Sequence, residues 1–110
     1  MELVRGDTGH YNFTRKDNEG HAILSTPLAI YFTVKESYDA DDFVIQKTLS
    51  DMTMDENGVW HFTLLPSDTE TLPFEKYVYD IEVTASANEV NTIAKGSFEL
   101  LKEATWSINK

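Results

Sequence analysis

Apolar and polar side chains alternate along residues 77–84, where Tyr77, Tyr79, Ile81 and Val83 occupy every second position. In a β-strand, side chains at alternate positions share a face, so this spacing places the four residues on one side and the polar residues between them on the other. A helix would distribute the same residues around its circumference. The pattern therefore predicts a β-strand with one buried face.

Six further segments have a similar strand-like character and are separated by turn signals. The predicted strands cover residues 10–15, 28–35, 43–49, 59–65, 77–84, 90–95 and 97–101. One of the turn signals is the Asn57-Gly58 pair, which is typical of tight hairpin turns because it tolerates a positive φ. Gly96 is interpreted as a bulge or turn between the last two strands. Even spacing of about seven short strands predicts an all-β fold, a β-sandwich that forms a single domain over residues 1–110.

The connection before residue 77 indicates how the chain passes from one predicted sheet to the other. Residues 67–70 have the Ser-x-x-Glu spacing of a capping box, and Pro73 follows them, so a single helical turn is predicted here. Immunoglobulin-like folds pass between their sheets by such a crossover, and a tyrosine hydroxyl often ties the next strand to the crossover backbone. Tyr77 and Tyr79 are candidates for that tyrosine, and the alternative is that both are simply core aromatics. The predicted fold class is an immunoglobulin-like β-sandwich of about seven antiparallel strands.

Residues 43–49 differ from the other predicted strands because both of their faces mix apolar and polar side chains. Such poor differentiation indicates an edge strand. We interpret Phe43, Ile45 and Lys47 as candidate interface residues on that edge. Trp106 is a further candidate, because an aromatic residue in a terminal segment either folds back onto the sheets or contacts a neighbouring molecule.

The composition limits the functions that this fold can serve. The chain of 110 residues has 19 acidic and 9 basic residues and a formal net charge of −10, and such a surface repels the phosphates of nucleic acid. It contains no cysteine, which excludes disulfide bonds, thiolate metal sites and cysteine nucleophiles. No apolar run approaches the roughly 20 residues needed to span a membrane, and residues 1–7 lack the layout of a signal peptide. We therefore expect synthesis in the cytoplasm, with neither nucleic acid nor a membrane as a partner.

The sequence contains no motif typical of catalysis or of cofactor binding. His10, His21 and His61 lie in separate predicted elements and have no ligand spacing. The acidic residues 39, 41, 42, 51 and 55 offer oxygen atoms to calcium, but their spacing matches no calcium loop, so a solvated loop is the preferred interpretation. Neither a Gly-x-Ser-x-Gly elbow nor a glycine-rich phosphate loop is present. We therefore expect no enzyme activity, no catalytic residues, no cofactor and no metal site.

Several short motifs together resemble a known family. They are Arg5-Gly6-Asp7-Thr8 before a polar turn that ends at Gly20, the segment Ile30-Tyr31-Phe32-Thr33-Val34-Lys35, Asp68-Thr69 followed by Tyr77-Val78-Tyr79-Asp80-Ile81, and Thr92-Ile93-Ala94-Lys95-Gly96-Ser97-Phe98-Glu99-Leu100 followed by Ala104-Thr105. In residue types and spacing they are similar to the immunoglobulin-like domains of tailed bacteriophages and of prophages of Gram-positive hosts. The N-terminal domain of baseplate upper proteins is the best-known type.

The resemblance implies a virion structural protein of the tail, baseplate or neck. Such a module docks to other virion proteins or to copies of itself, forms a homo-oligomer in the assembly, and has neither catalysis nor cofactor. It would be made in the host cytoplasm and then become part of the virion. In baseplate upper proteins a long C-terminal region carries the receptor-binding machinery, so no receptor-binding role is carried over to residues 1–110.

The alternative from another functional class is a module that binds carbohydrate or a cell surface. In that interpretation Trp106, or a loop aromatic such as Tyr38, provides the platform on which a sugar ring stacks. The sequence does not identify a partner, so it does not discriminate between the two interpretations.

Overall fold

A computed structural model describes residues 1–73 and 75–102 of the chain. Eight strands, one four-residue helix and one 3₁₀ turn (Leu49–Asp51) make up its regular structure. The strands are β1 (Glu2–Val4), β2 (Gly9–Thr14), β3 (Ala29–Lys35), β4 (Ile45–Thr48), β5 (Thr53–Met54), β6 (Val59–Leu64), β7 (Lys76–Ser86) and β8 (Glu89–Leu101), and the helix is α1 (Pro66–Thr69). The predicted all-β class is confirmed.

The strands form two sheets. One sheet has five strands in the order β1-β8-β7-β3-β4, and the other has three in the order β2-β6-β5. All neighbours are antiparallel except β1 and β8, which run parallel. Because α1 lies between β6 and β7, it forms the crossover from the three-stranded to the five-stranded sheet.

The core lies between the two sheets and comes from the alternating positions of their strands. Phe32 of β3 and Phe62 of β6 meet across it with ring centroids 4.7 Å apart. Each fully buried side chain of this size stabilises the fold by about 1.5–3 kcal/mol relative to exposure in water. On β7 the predicted inward face is confirmed, because Tyr77, Ile81 and Val83 are buried and Tyr79 packs against the core. The buried apolar residues are Leu3, Ile30, Phe32, Val34, Ile45, Met52, Trp60, Phe62, Leu64, Tyr77, Ile81, Val83, Phe98 and Leu100.

Two hairpin loops share one geometry that begins with an aspartate and ends with a glycine. The side chain of Asp55 accepts backbone N–H bonds from the second and fourth residues after it, at 2.8 and 3.1 Å, and Asp17 does the same at 2.9 Å each. Gly58 and Gly20 follow with φ of 81° and 85°. The predicted turn at Gly58 is confirmed, but Asn57 does not contribute a positive φ, since only glycines have one among the described residues.

The last two predicted strands are one strand in the structure. β8 continues through Gly96, where a side chain would crowd the ring of Tyr79, because a Cβ there would lie 3.3 Å from Cε1 of Tyr79. Its irregularity falls at Ile93 instead, because β7 residues 81 and 82 pair with β8 residues 94 and 92 and leave Ile93 as the extra residue. β1 and β5, of three and two residues, are strands that the sequence did not predict.

The crossover is fixed to its surroundings by side chains of α1 and of β7. The backbone N–H of Leu65 donates to the Asp68 carboxylate at 2.7 Å. The buried hydroxyl of Thr69 accepts the backbone N–H of Gly6 at 2.9 Å. Tyr77 donates its hydroxyl to the carbonyl of Pro73 at 2.9 Å, which is the predicted tether between strand and crossover.

We expect Tyr77→Phe to destabilise the protein by about 1 kcal/mol at neutral pH, because the Pro73 carbonyl loses its donor. Burial, with a contribution from the Glu75 carboxylate, raises the pKa of the Tyr77 hydroxyl from 10.0 to about 12. A phenol with a raised pKa in the folded state stabilises the fold fully below pH 10, and this contribution is lost as the pH rises from about 10 to about 12. Urea unfolding of both proteins at neutral and alkaline pH measures the two effects. The same alkaline loss of stability in Tyr77→Phe would contradict this account.

Candidate protein-docking surfaces

The strand containing the candidate interface residues is an edge strand of the five-stranded sheet. β4 stands last in the strand order, although it covers only Ile45–Thr48 of the predicted residues 43–49. Phe43 precedes the strand and is 53% exposed, whereas Ile45 is 4% exposed and belongs to the core. Trp106 lies outside the described residues.

Lys47 is held inside the molecule by an ion pair. It lies opposite the buried Phe32 of β3, and its ammonium reaches the Asp68 carboxylate of α1 at 2.9 Å. The two side chains are only 15% and 22% exposed. Ile45 and Lys47 both point inward. A charged residue therefore lies on the buried face, and its salt bridge with Asp68 at the sheet edge explains the mixed pattern of residues 43–49. A partner at this edge would meet the backbone of β4 and the ring of Phe43.

The β4 edge is also short and partly capped. Its last backbone N–H, at Thr48, donates to the carboxylate of Asp51 at 2.9 Å. Alternate residues of an antiparallel strand direct their backbone groups to the same side. The backbone N–H and C=O of Gln46 therefore point away from β3, as those of Thr48 do. Short length and capping are common ways in which proteins protect a sheet edge.

A longer unpaired edge lies on β8. This strand has 13 residues, but β1 pairs only with its last three, Glu99 to Leu101. The N-terminal ammonium of Met1 adds one bond to the carbonyl of Ser97 at 3.1 Å. Within residues 1–73 and 75–102, no strand pairs with the outer side of residues 89–96. We call residues 89–96 the free β8 edge.

The free β8 edge is exposed and electrically neutral. Residues 89–93 are exposed at every position, so neither face of this part of the strand is covered. Val90 and Ile93 are 56% and 39% exposed. Glu89 and Lys95 are the charged residues of the edge and cancel each other, in a chain with a net charge of −10. The sequence predicted strands at residues 90–95 and 97–101 but not an edge; the lack of alternation in residues 89–95 was the available signal.

The segment after β3 folds over the outer face of the five-stranded sheet. The Tyr38 hydroxyl is within donating distance of two carbonyls, those of Tyr79 at 3.3 Å and Gly96 at 3.1 Å. Lys35 donates to the carbonyl of Ala40 at 3.1 Å, and the ammonium of Lys95 lies 5.4 Å from the centre of the Tyr38 ring. Although it is exposed, as predicted, the acidic segment 39–42 is therefore anchored at its start and its middle.

A groove of about 330 Å³ opens beside this segment on the same face. Two partly exposed rings, Tyr31 and Phe43, stand at its sides. The remaining lining residues are Thr33, Lys35, Asp41, Gln46, Asp80 and Glu82. Aromatic rings next to carboxylates and an amide are able to bind a polar ligand that also has an apolar face.

The three histidines lie apart and do not form a joint site. His61 is exposed, and its Nε2 lies 3.0 Å from the Asp55 carboxylate. This hydrogen bond, together with the backbone N–H bonds of the loop, holds the pKa of Asp55 below its usual value. Among the residues that the structure describes, no three His, Asp or Glu side chains are grouped to hold a metal ion. In the same residues no helix has both the length and the apolar character needed to cross a membrane.

We expect Tyr38→Phe to loosen the segment 39–42 without unfolding the protein, because it removes the hydroxyl that anchors the segment to β7 and β8. A hydrogen bond of about 1 kcal/mol corresponds to roughly fivefold faster amide hydrogen exchange in that segment. Tyr31→Phe is the matched control, since Tyr31 is also an exposed tyrosine of this face but its hydroxyl has no hydrogen bond among the described residues. Equal exchange in the two variants would contradict the anchoring role.

No family model matches this chain, and neither a curated protein nor a solved structure is significantly similar to it. The geometry of the edges and of the groove is therefore the basis on which a function is proposed below.

Proposed function

We propose that the two sheets form an immunoglobulin-like β-sandwich of the variable type. If β2 to β8 are taken as strands B, C, C′, D, E, F and G, the observed orders become β1-G-F-C-C′ and B-E-D. They match the two sheets of that type, except that C″ is absent and no strand A lies beside B among the described residues. The bond from Tyr77 to Pro73 corresponds to the tyrosine corner at the start of strand F. Two features depart from antibody domains: there is no cysteine pair, and the buried Trp60 lies on β6.

For the function we propose a non-enzymatic structural module that assembles with copies of itself through the edges of its five-stranded sheet. The observation that carries this proposal is the free β8 edge, where the outer side of residues 89–96 pairs with no strand in the described part of the chain. Unpaired backbone groups of an edge are a template for strand addition, in which main-chain hydrogen bonds supply the affinity.

The virion setting comes from the sequence resemblance. Its motifs fall on the loop between β1 and β2, on β3, on α1 with β7, and on β8. They therefore include three of the five strands of the larger sheet, among them the strand with the free edge. A tail, baseplate or neck protein occurs in many symmetric copies, and a sheet edge that joins neighbours suits that role.

The solution mass by light scattering over a wide concentration series tests self-assembly. We expect a closed oligomer for the natural chain, and its dissociation in Val90→Glu/Ile93→Glu, which places four like charges at each edge-to-edge contact. Leu24→Glu/Leu28→Glu is the matched control, because it adds the same charge at two exposed apolar residues outside the free β8 edge. Gln46→Pro tests the β4 edge in the same experiment, because proline removes a backbone N–H that points away from β3.

A natural chain that stays monomeric at every concentration would contradict self-assembly. If both glutamate pairs dissociate the oligomer equally, the added charge and not the β8 edge controls the oligomer mass. Dissociation by Gln46→Pro alone would place the contact at β4.

A glycan-binding module is the second candidate, and the groove on the outer sheet face favours it. Tyr31 and Phe43 offer exposed rings for stacking, next to the carboxylates of Asp80 and Glu82 that accept hydroxyl hydrogens. The ring of Tyr38 is a poorer platform because Lys95 lies over it.

Titration of the labelled protein with a panel of neutral oligosaccharides, followed by amide NMR shifts, tests the glycan candidate. If it is correct, at least one sugar moves the resonances of the groove, and Tyr31→Ala/Phe43→Ala weakens binding by about tenfold or more. Leu24→Ala/Leu28→Ala is the control, because both leucines are exposed and neither lines the groove. An absence of shifts across the panel, or an equal loss in both variants, would contradict this candidate.

A further inference from the structure

We infer that the free β8 edge pairs with the same edge of a second copy, antiparallel and around a two-fold axis. The two five-stranded sheets would then continue into one sheet of ten strands. This inference rests on the proposed function and deepens it, because it names the partner and the contact.

The geometry of the edge sets the direction of pairing. Two copies of one segment that are related by a two-fold axis perpendicular to the sheet run antiparallel, and each then presents to the other the same alternating row of N–H and C=O groups. Residues 89–96 have their middle between Thr92 and Ile93. In an antiparallel pair the two-fold axis lies where a residue faces its own copy, so the axis is expected at Thr92, next to the extra residue Ile93.

The charges of the edge favour a second copy as the occupant. A chain with a net charge of −10 repels its own copies over most of its surface, but the free β8 edge has one acidic and one basic residue. Antiparallel pairing brings the Glu89 end of one strand to the Lys95 end of its partner, and symmetry makes this approach occur twice. These two approaches of opposite charges offset part of the repulsion between the copies.

Exposed apolar side chains give the second copy a surface to cover. Val90 and Ile93 lie on the free β8 edge and are exposed, and burial of such side chains is favourable at about 25 cal/mol per Å². The other edges of the described residues on this sheet offer less: β1 has three residues, and β4 has four, with its last N–H capped by Asp51.

Single-cysteine cross-linking tests the inference directly, because the natural chain has no cysteine. Residues opposite each other in antiparallel strands have Cα atoms about 4.5–5.5 Å apart, within the range that a disulfide spans. We expect Thr92→Cys to form a disulfide-linked dimer about tenfold or more faster than exposed control cysteines, because pairing raises the local thiol concentration. A mixture of Val90→Cys and Lys95→Cys should give mainly the mixed dimer. Val90, Thr92 and Lys95 pair with every second residue of β7, 84, 82 and 80, so Val90 and Lys95 lie at equal distances on either side of Thr92.

The controls are Gln46→Cys on the β4 edge and Thr53→Cys on β5 of the other sheet. Cross-linking at Gln46→Cys alone, in a protein that is oligomeric, would overturn the β8 pairing and leave edge-mediated self-assembly intact. Equal rates at Thr92→Cys and Thr53→Cys would show random collision and also overturn it. A monomer without cross-links at any position would overturn both the pairing and the proposed self-assembly.

Discussion

The contact between Phe32 and Phe62 across the two sheets is the interaction on which the rest of the structure depends. With no disulfide available to join the sheets, the apolar faces of β3, β6 and β7 must hold them together by burial alone. Their ring centroids are 4.7 Å apart, and Tyr79 and Phe13 pack around them from either sheet. Because side chains alternate along a strand, this contact also decides which residues of each strand face outward and which sheet margins stay open.

The β4 and β8 edges of the five-stranded sheet differ in how well they are protected. At β4 the strand is short, Lys47 turns inward to Asp68, and Asp51 caps the last backbone N–H. At β8 the strand extends well past the three residues that β1 covers. A hairpin of this length projects more backbone than the other strands can pair, and its near neutrality removes the repulsion that protects the rest of the surface. Edge strands that lack such protection commonly bind another strand.

Strands with two clearly different faces were predictable from the sequence, and β3, β6 and β7 appear close to the expected residues. β1 and β5 were not predicted, because two or three residues are too few to show a periodicity. The inward position of Lys47 was not predictable from the neighbouring residues. A charged side chain is compatible with a buried face only when it has a partner, and the partner here, Asp68, lies more than twenty residues away. The free β8 edge depends on strand order, which a single sequence does not encode locally. The tether at Tyr77 was predictable because its partner Pro73 is four residues away.

If residues 89–96 pair with a second copy, the hydrogen exchange of their amides depends on protein concentration, so exchange should be compared in dilute and concentrated protein. We expect alternate amides of this edge to exchange rapidly in dilute protein and to become protected as the concentration rises, while those of β4 do not change. Exchange at residues 89–96 that is independent of concentration, over a range in which the mass changes, would contradict this pairing.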